Sequence, residues 1–182
     1  MKLYSYVLTS DTGFAPNPFD KYCSLACCKP RIRKSAKVGD WIVGTGSTSN
    51  AGNDHLIYVM KVTEKKDFNN YFSDKRFRNR VDNIYYLEND EWKQKENPYH
   101  TEKDIEHDLS GEYVLISDNF FYFGKKAVKI PLDFLEIVKK GPGHKSNFNN
   151  DLIENFVMWL EDSFNTGINA YPFDYECRCS SI

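Results

Sequence analysis

No apolar run in this chain approaches the length needed to cross a bilayer. The start, Met1-Lys2-Leu3-Tyr4, has neither the apolar stretch nor the small-residue cleavage site of a secretory signal. A membrane partner and export are therefore not expected, and a cytoplasmic protein is. An excess of positive charge is also missing: 24 Lys and Arg stand against 26 Asp and Glu, a formal net charge of −2. Proteins that wrap duplex DNA by neutralising many phosphates are more basic than this. The balance still leaves room for a local basic patch, or for a pocket that takes one nucleotide. No internal repeat or low-complexity tract is present, and strict βαβ alternation, with the doubly wound sheet it would imply, is lacking. Five cysteines, an odd number without an export signal, read as reduced thiols. Cys23, Cys27 and Cys28, with Cys177 and Cys179, lack the paired C-x2-C knuckles of structural zinc sites. No metal and no cofactor is expected, only mostly buried thiols.

What is plentiful is aromatic. Phe, Tyr and Trp make up 15% of the 182 residues, enough for an aromatic core and, beyond it, for rings that line a stacking pocket. Residues 2–9, 41–45 and 55–63 read as strands, the last nearly continuous and apolar. Residues 11–20 hold Gly13, Pro16 and Pro18 and read as a structured loop. Residues 24–29 suggest a short helix that Pro30 ends, and 66–77 another helix. Residues 83–87, 113–117, 120–123 and 127–130 suggest further strands, with a bend near Asp118-Asn119. Residues 88–110 are polar, charged and aperiodic, the pattern of an exposed excursion. Pro131 suits the opening of a short helix to Lys139, which Gly141-Pro142-Gly143 stops. The strongest helical pattern spans 151–164, where Leu152, Phe156, Leu160 and Phe164 recur four apart behind a capping Asn149 or Asn150. The sum is an α+β fold over residues 1–182, a single domain of mostly antiparallel strands with peripheral helices. Glycines inside the strands suggest a small, strongly bent barrel.

Three segments carry a resemblance: YSYVLTSDTGFAPNPF with CSLACCKPRIR, then VGDWIVGTGS, then LISDNFFYFGKKAV with the GPGHKS that follows. In order and character they resemble the second of the nucleotide-modification-associated domain families, small proteins of bacteria and phages. The resemblance implies a PUA-like β-barrel related to the ASCH and EVE modules, holding a modified base or nucleotide, in DNA or RNA, within a cleft. It also implies association with nucleic-acid modification or phage-defence systems. No catalytic mechanism comes with it.

Several residues fit such a cleft, each with a plainer alternative. Phe14 and Asn17, framed by prolines, offer a stacking ring and an amide for a base edge; alternatively Phe14 plugs the core and Asn17 bonds its own turn. Trp41, Tyr6, and Phe120 with Tyr122 on one face of the 120–123 strand, are cage walls or core. Ser117 and Asp118 sit where a polar edge would be read. Lys29, Arg31 and Arg33 alternate, so an extended chain would place them on one phosphate-facing side or on a solvated edge. Gly143, His144, Lys145 and Ser146 combine a glycine-rich turn with donors suited to an anion, without the Walker spacing of a P-loop. If the chain is instead an enzyme acting on a nucleotide by transfer or hydrolysis, His144, Asp118, Asp11 and Cys23 are the candidate acids, bases or nucleophile. A third alternative is a protein-interaction module that uses the charged 88–110 excursion.

Overall fold

The computed structural model describes residues 1–175; Cys177 and Cys179 lie outside the described residues. In chain order the elements are β1 (Leu3–Val7), β2 (Cys23–Leu25), α1 (Pro30–Ser35), β3 (Trp41–Thr45), β4 (His55–Lys61), β5 (Glu64–Asp67), α2 (Phe68–Ser73), β6 (Tyr85–Glu88), β7 (Glu91–Gln94), α3 (Ile105–Leu109), β8 (Tyr113–Ser117), β9 (Asn119–Tyr122), β10 (Val128–Lys129), β11 (His144–Lys145), α4 (Asn150–Ser163) and β12 (Gly167–Ile168).

A seven-stranded sheet runs β11-β1-β3-β4-β9-β12, with β10 also on β4; a second sheet runs β2-β8-β5; β6 and β7 form a hairpin. Most pairs are antiparallel, while β1–β3 and β9–β12 are parallel. Two stretches of chain belong to both main sheets. Beyond β4 the chain bends at Val62-Thr63 into β5, and beyond β8 it bends at Asp118 into β9. This is the mixed, mostly antiparallel α+β architecture the sequence suggests. Among the described residues the pairing leaves the sheets open rather than closed into a barrel, because those two stretches leave one sheet for the other instead of completing a ring.

Alternation sorts the side chains into layers. Tyr4, Tyr6, Ile42, Tyr58, Phe120 and Tyr122 turn from the large sheet toward Cys23, Leu25 and Leu115 of the smaller one, and Ile32 of α1 joins them. Leu3, Trp41, Val43, Val59 and Phe121 turn the other way, where α4 covers them with Ile153, Phe156 and Leu160. The outer side of the small sheet packs Val114 and Ile116 on Phe14, Phe68, Tyr71 and Tyr85. α4 starts where Asn149 Oδ1 accepts the Asp151 backbone N–H at 3.0 Å.

Two places differ from the sequence reading. Residues 24–29 are no helix: Cys23–Leu25 is a strand on β8, and Pro30 opens α1 rather than ending a helix. A proline fits a first helical position because its fixed φ suits the turn and the N–H it lacks has no partner there. The 88–110 segment is not a bare excursion. It holds β7 and, behind a capping box of Thr101 and Asp104, a 3-10 turn that leads into α3. The short helix expected after Pro131 is present as 3-10 turns over Leu132–Ile137. Among the described residues no helix is long and apolar enough to cross a membrane.

The pairing of β3 with β4 shifts register between Gly44 and Thr45, and the Tyr58 ring lies across Gly44. A Cβ at Gly44 would stand 2.4 Å from Tyr58 Cε1, inside van der Waals contact. Gly44→Ala is expected to lower the unfolding free energy by about 1–3 kcal/mol, as overpacking of a tight core does. Urea denaturation of the two chains checks it, and an unchanged midpoint contradicts it.

Candidate functional site

Leaving β2, the backbone takes two consecutive left-handed residues, Cys28 (φ 60) and Lys29 (φ 43), before Pro30 starts α1. Neither is glycine, and non-glycine residues held in this region carry strain that tends to gather at functional sites. The double turn brings Cys28, Lys29 and Arg31 to one wall of a groove of about 460 Å³; Gly143 and His144 form the facing wall and His107 adds to the rim. The lining residues include four basic side chains and no carboxylate.

Register explains the far wall. β11 pairs with β1 so that His144 lies opposite Tyr6 and Lys145 opposite Ser5. His144 therefore turns toward Tyr4, with ring centroids 5.8 Å apart. Lys145 turns away, bonding the Glu136 carbonyl at 2.8 Å and covering Phe148. Ser146 is half-buried past the end of β11 and is not a lining residue. Burial, with Arg31 and Lys139 nearby, holds the His144 imidazole below its usual range. Burial likewise lowers the Lys29 ammonium, which lies 4.7 Å from the centre of the Tyr6 ring.

Beneath Cys28 lies a polar cluster. Its centre is Asp108, whose side chain is fully buried. Asp108 Oδ1 accepts the Cys28 backbone N–H at 2.6 Å, and Oδ2 accepts the Tyr85 hydroxyl at 2.7 Å. Oδ2 also lies 2.8 Å from His100 Nδ1. The other ring nitrogen, Nε2, sits 3.5 Å from Cys28 Sγ. Arg33, also fully buried, stands 3.8 Å from Asp108 and donates to the carbonyls of Cys28 and Tyr113, each at 2.7 Å. Gly111 leaves room for its guanidinium: a Cβ there would lie 2.5 Å from an Arg33 nitrogen. Phe14 packs edge-on to His100 and stacks on Tyr99. Burial works against a charged His100, but the hydrogen bonds to Asp108 and Cys28 outweigh it and lift the imidazole to about 10. Asp108 stays low against its own burial because His100, Tyr85 and Arg33 favour the carboxylate. Cys27, His100 and Asp108 also offer three ligand atoms within 4.8 Å of one another. Their donor set suits a cation poorly: both Asp108 oxygens are already engaged, a guanidinium lies beside them, and burial pushes the Cys27 thiol up.

The structure thus gathers Lys29, Arg31, Gly143 and His144 into one place and separates the other candidates. Arg33 does not share a face with Lys29 and Arg31, because the segment is helical and the guanidinium points into the core. The aromatic residues divide among three clusters: Tyr6, Phe120 and Tyr122 between the sheets, Trp41 under α4, and Phe14 behind His100. Asn17 bonds Asp82 at 3.0 Å within a buried network that holds Arg80, Ser24 and Tyr71. Ser117 donates to the Asn119 carbonyl at 2.7 Å, while Asp118 is exposed at the bend. Asp11, raised by burial, takes the Tyr122 hydroxyl and the Phe173 N–H. Cys23 is buried between the sheets and its thiol is raised by that burial. Asp11, Cys23, Asp118 and His144 therefore form no common site. Of the residues that do cluster, Cys28 entered the sequence reading only as a thiol weighed for zinc, and His100 and Asp108 were missed, since both lie in the polar 88–110 stretch. The T-x-x-D capping box at Thr101–Asp104, just after His100, was the available sign that this stretch is folded.

The chain belongs to the family of nucleotide modification associated domain 2, whose model matches residues 1–179. Comparisons with curated proteins and with solved structures each find no match.

Since the folded His100 is raised from 6.5 to about 10, the stability that its charge adds is complete below about pH 6.5 and is lost as pH climbs through about 10. The stability gap between the wild type and His100→Gln is expected to narrow over that window. Denaturation midpoints at pH 6 and pH 10 test it, and a gap that stays constant or widens contradicts it.

Proposed function

We propose that this chain is a binding module for a modified nucleotide, free or within DNA or RNA, and that the groove between the start of α1 and β11 receives its phosphate. The observation that carries this reading is the convergence of Lys29, Arg31, Gly143 and His144 on a groove lined by no acidic side chain. Membership of a family associated with nucleotide modification supports a nucleotide as the ligand. The electrostatics favour an anion: His144 is depressed in part by the neighbouring cations Arg31 and Lys139, a strain that a bound phosphate relieves. Lys29, partly desolvated, gains a counter-charge in the same event. A net charge of −2 suits a site for one nucleotide better than a surface for a long duplex. The free thiols of Cys23, Cys27 and Cys28 fit a cytoplasmic setting. Two sheets facing each other across an aromatic core keep a relation to PUA-like modules within the reading.

Thermal-shift measurements with modified and unmodified nucleoside monophosphates, the matching nucleosides, and short oligonucleotides test it. Phosphate-bearing ligands are expected to raise the melting temperature, and a modified base more than its parent. Arg31→Ala, at an exposed position, is expected to weaken binding about 10- to 100-fold, the worth of one charge-assisted hydrogen bond. Lys145→Ala, on the opposite face of β11, leaves it unchanged. If no nucleotide shifts the melting temperature, or if the two variants weaken binding equally, the groove is not the site.

A further inference from the structure

Cys28, from the turn before α1, meets His100 and Asp108, from the stretch that ends in α3, in the order sulfur, imidazole, carboxylate: Sγ to Nε2 at 3.5 Å, then Nδ1 to Oδ2 at 2.8 Å. This is the arrangement nucleophilic cysteine catalysis requires, with the ring between the thiol and a carboxylate that fixes its orientation. We infer that Cys28 is a nucleophile for acyl transfer, with His100 as its acid–base partner and Asp108 as the residue that positions the ring.

Four observations favour this over a structural role. Cys28 lines the groove, whereas Cys23 and Cys27 are fully buried. The left-handed backbone at Cys28 and Lys29 is held from both sides, by Asp108 on the Cys28 N–H and by Arg33 on its carbonyl, so the strained turn is fixed in place. His100 is braced by Phe14 and mostly covered, its side chain 13% exposed, which excludes bulk water from the sulfur–imidazole contact. The groups facing the pair are Asp108, Asp104 and Cys27 around His100, and Lys29, Tyr6 and Arg33 around Cys28. Asp108 dominates them, and its hydrogen bond favours the protonated His100, the form that donates to a leaving group.

The chemistry balances without a cofactor. The Cys28 thiolate attacks the carbonyl carbon of an ester or amide, and the new C–S bond forms as the C–O or C–N bond breaks. The leaving oxygen or nitrogen takes the proton from His100 Nε2. Water then adds to the thioester and gives a proton back to His100; the acid departs and the thiolate is restored. Lys29, adjacent in sequence and electrostatically coupled to Cys28, places a positive charge beside the developing oxyanion. The substrate class, an acyl ester or amide carried on a phosphate-bearing compound, rests on the nucleotide reading of the groove; the nucleophile itself does not.

The test uses the full chain with an alkylating agent and a surrogate acyl donor. Iodoacetamide alkylation is followed by mass spectrometry at each cysteine from pH 5 to pH 9, and p-nitrophenyl acetate supplies a simple acyl donor. Cys28 is expected to alkylate at pH 6 about tenfold faster than in His100→Gln, while Cys23 and Cys27 stay unmodified. The ester is expected to release about one equivalent of nitrophenolate in a burst and to leave an acetyl group on Cys28. Asp108→Asn, which leaves the ring without its positioning carboxylate, is expected to slow the alkylation of Cys28 as His100→Gln does. The inference is overturned if Cys28 alkylates as fast in His100→Gln as in the wild type. It is overturned equally if no acetyl adduct forms, or if the purified chain holds a stoichiometric zinc ion whose removal, rather than His100→Gln, changes the reactivity. Slower alkylation in the presence of AMP tests the groove alone, so a failed groove and a failed nucleophile give different results.

Discussion

The Asp108 carboxylate ties together parts of the chain that otherwise have no reason to meet. It fixes the turn before α1 through the Cys28 N–H, the hairpin through the Tyr85 hydroxyl, and the end of the 96–100 loop through His100. Arg33 supplies the opposing charge and donates to the backbone carbonyls of Cys28, Tyr113 and Asp108. A buried pair of this kind adds little net stability, because desolvating both ions cancels most of their attraction. Its effect is on specificity. With both carboxylate oxygens of Asp108 engaged, other packings of the same apolar residues would leave a charge unpaired, and that penalty selects one arrangement of α1, α3 and the hairpin.

A second hub acts in the same way a short distance off. Asp82 and Arg80 hold Asn17, Ser24 and Tyr71, and Arg80 also takes the Asn17 carbonyl at 2.8 Å. Between them the two hubs anchor the 11–29 stretch, which has little regular structure of its own. The groove therefore stands on polar contacts at its base and on the aromatic layer between the sheets at its side. This explains why residues with the chemistry of base readers, Asn17 and Ser117 among them, are already engaged internally.

The parts legible in the sequence were those where one periodicity dominates. α4 shows its stripe of Phe156 and Leu160, and β3 and β4 are apolar nearly throughout, so each announces both its type and its burial. Residues 23–33 were harder because proline both ends and begins helices, and only the pairing of Cys23–Leu25 with β8 decides which. The alternation of Lys29, Arg31 and Arg33 suggested a strand face, yet on a helix the same spacing sends Arg33 inward. Half of the groove was nonetheless readable, as basic residues next to glycine turns. The Cys-His-Asp cluster was not, because its members lie 72 and 8 positions apart and only the tertiary fold joins them.

Both edges of the large sheet are supplied late in the chain: β11 covers β1, and β12 covers β9. A ribosome releases β1, β3, β4 and β9 well before residues 144–145 and 167–168 exist outside its tunnel. For that interval the nascent protein presents two unpaired strand edges rich in Tyr and Phe, the surfaces most prone to pair with a neighbouring chain. Truncation before β11 would make that transient state permanent, so chains cut short in the last quarter of the sequence should accumulate as aggregates rather than as partly active fragments.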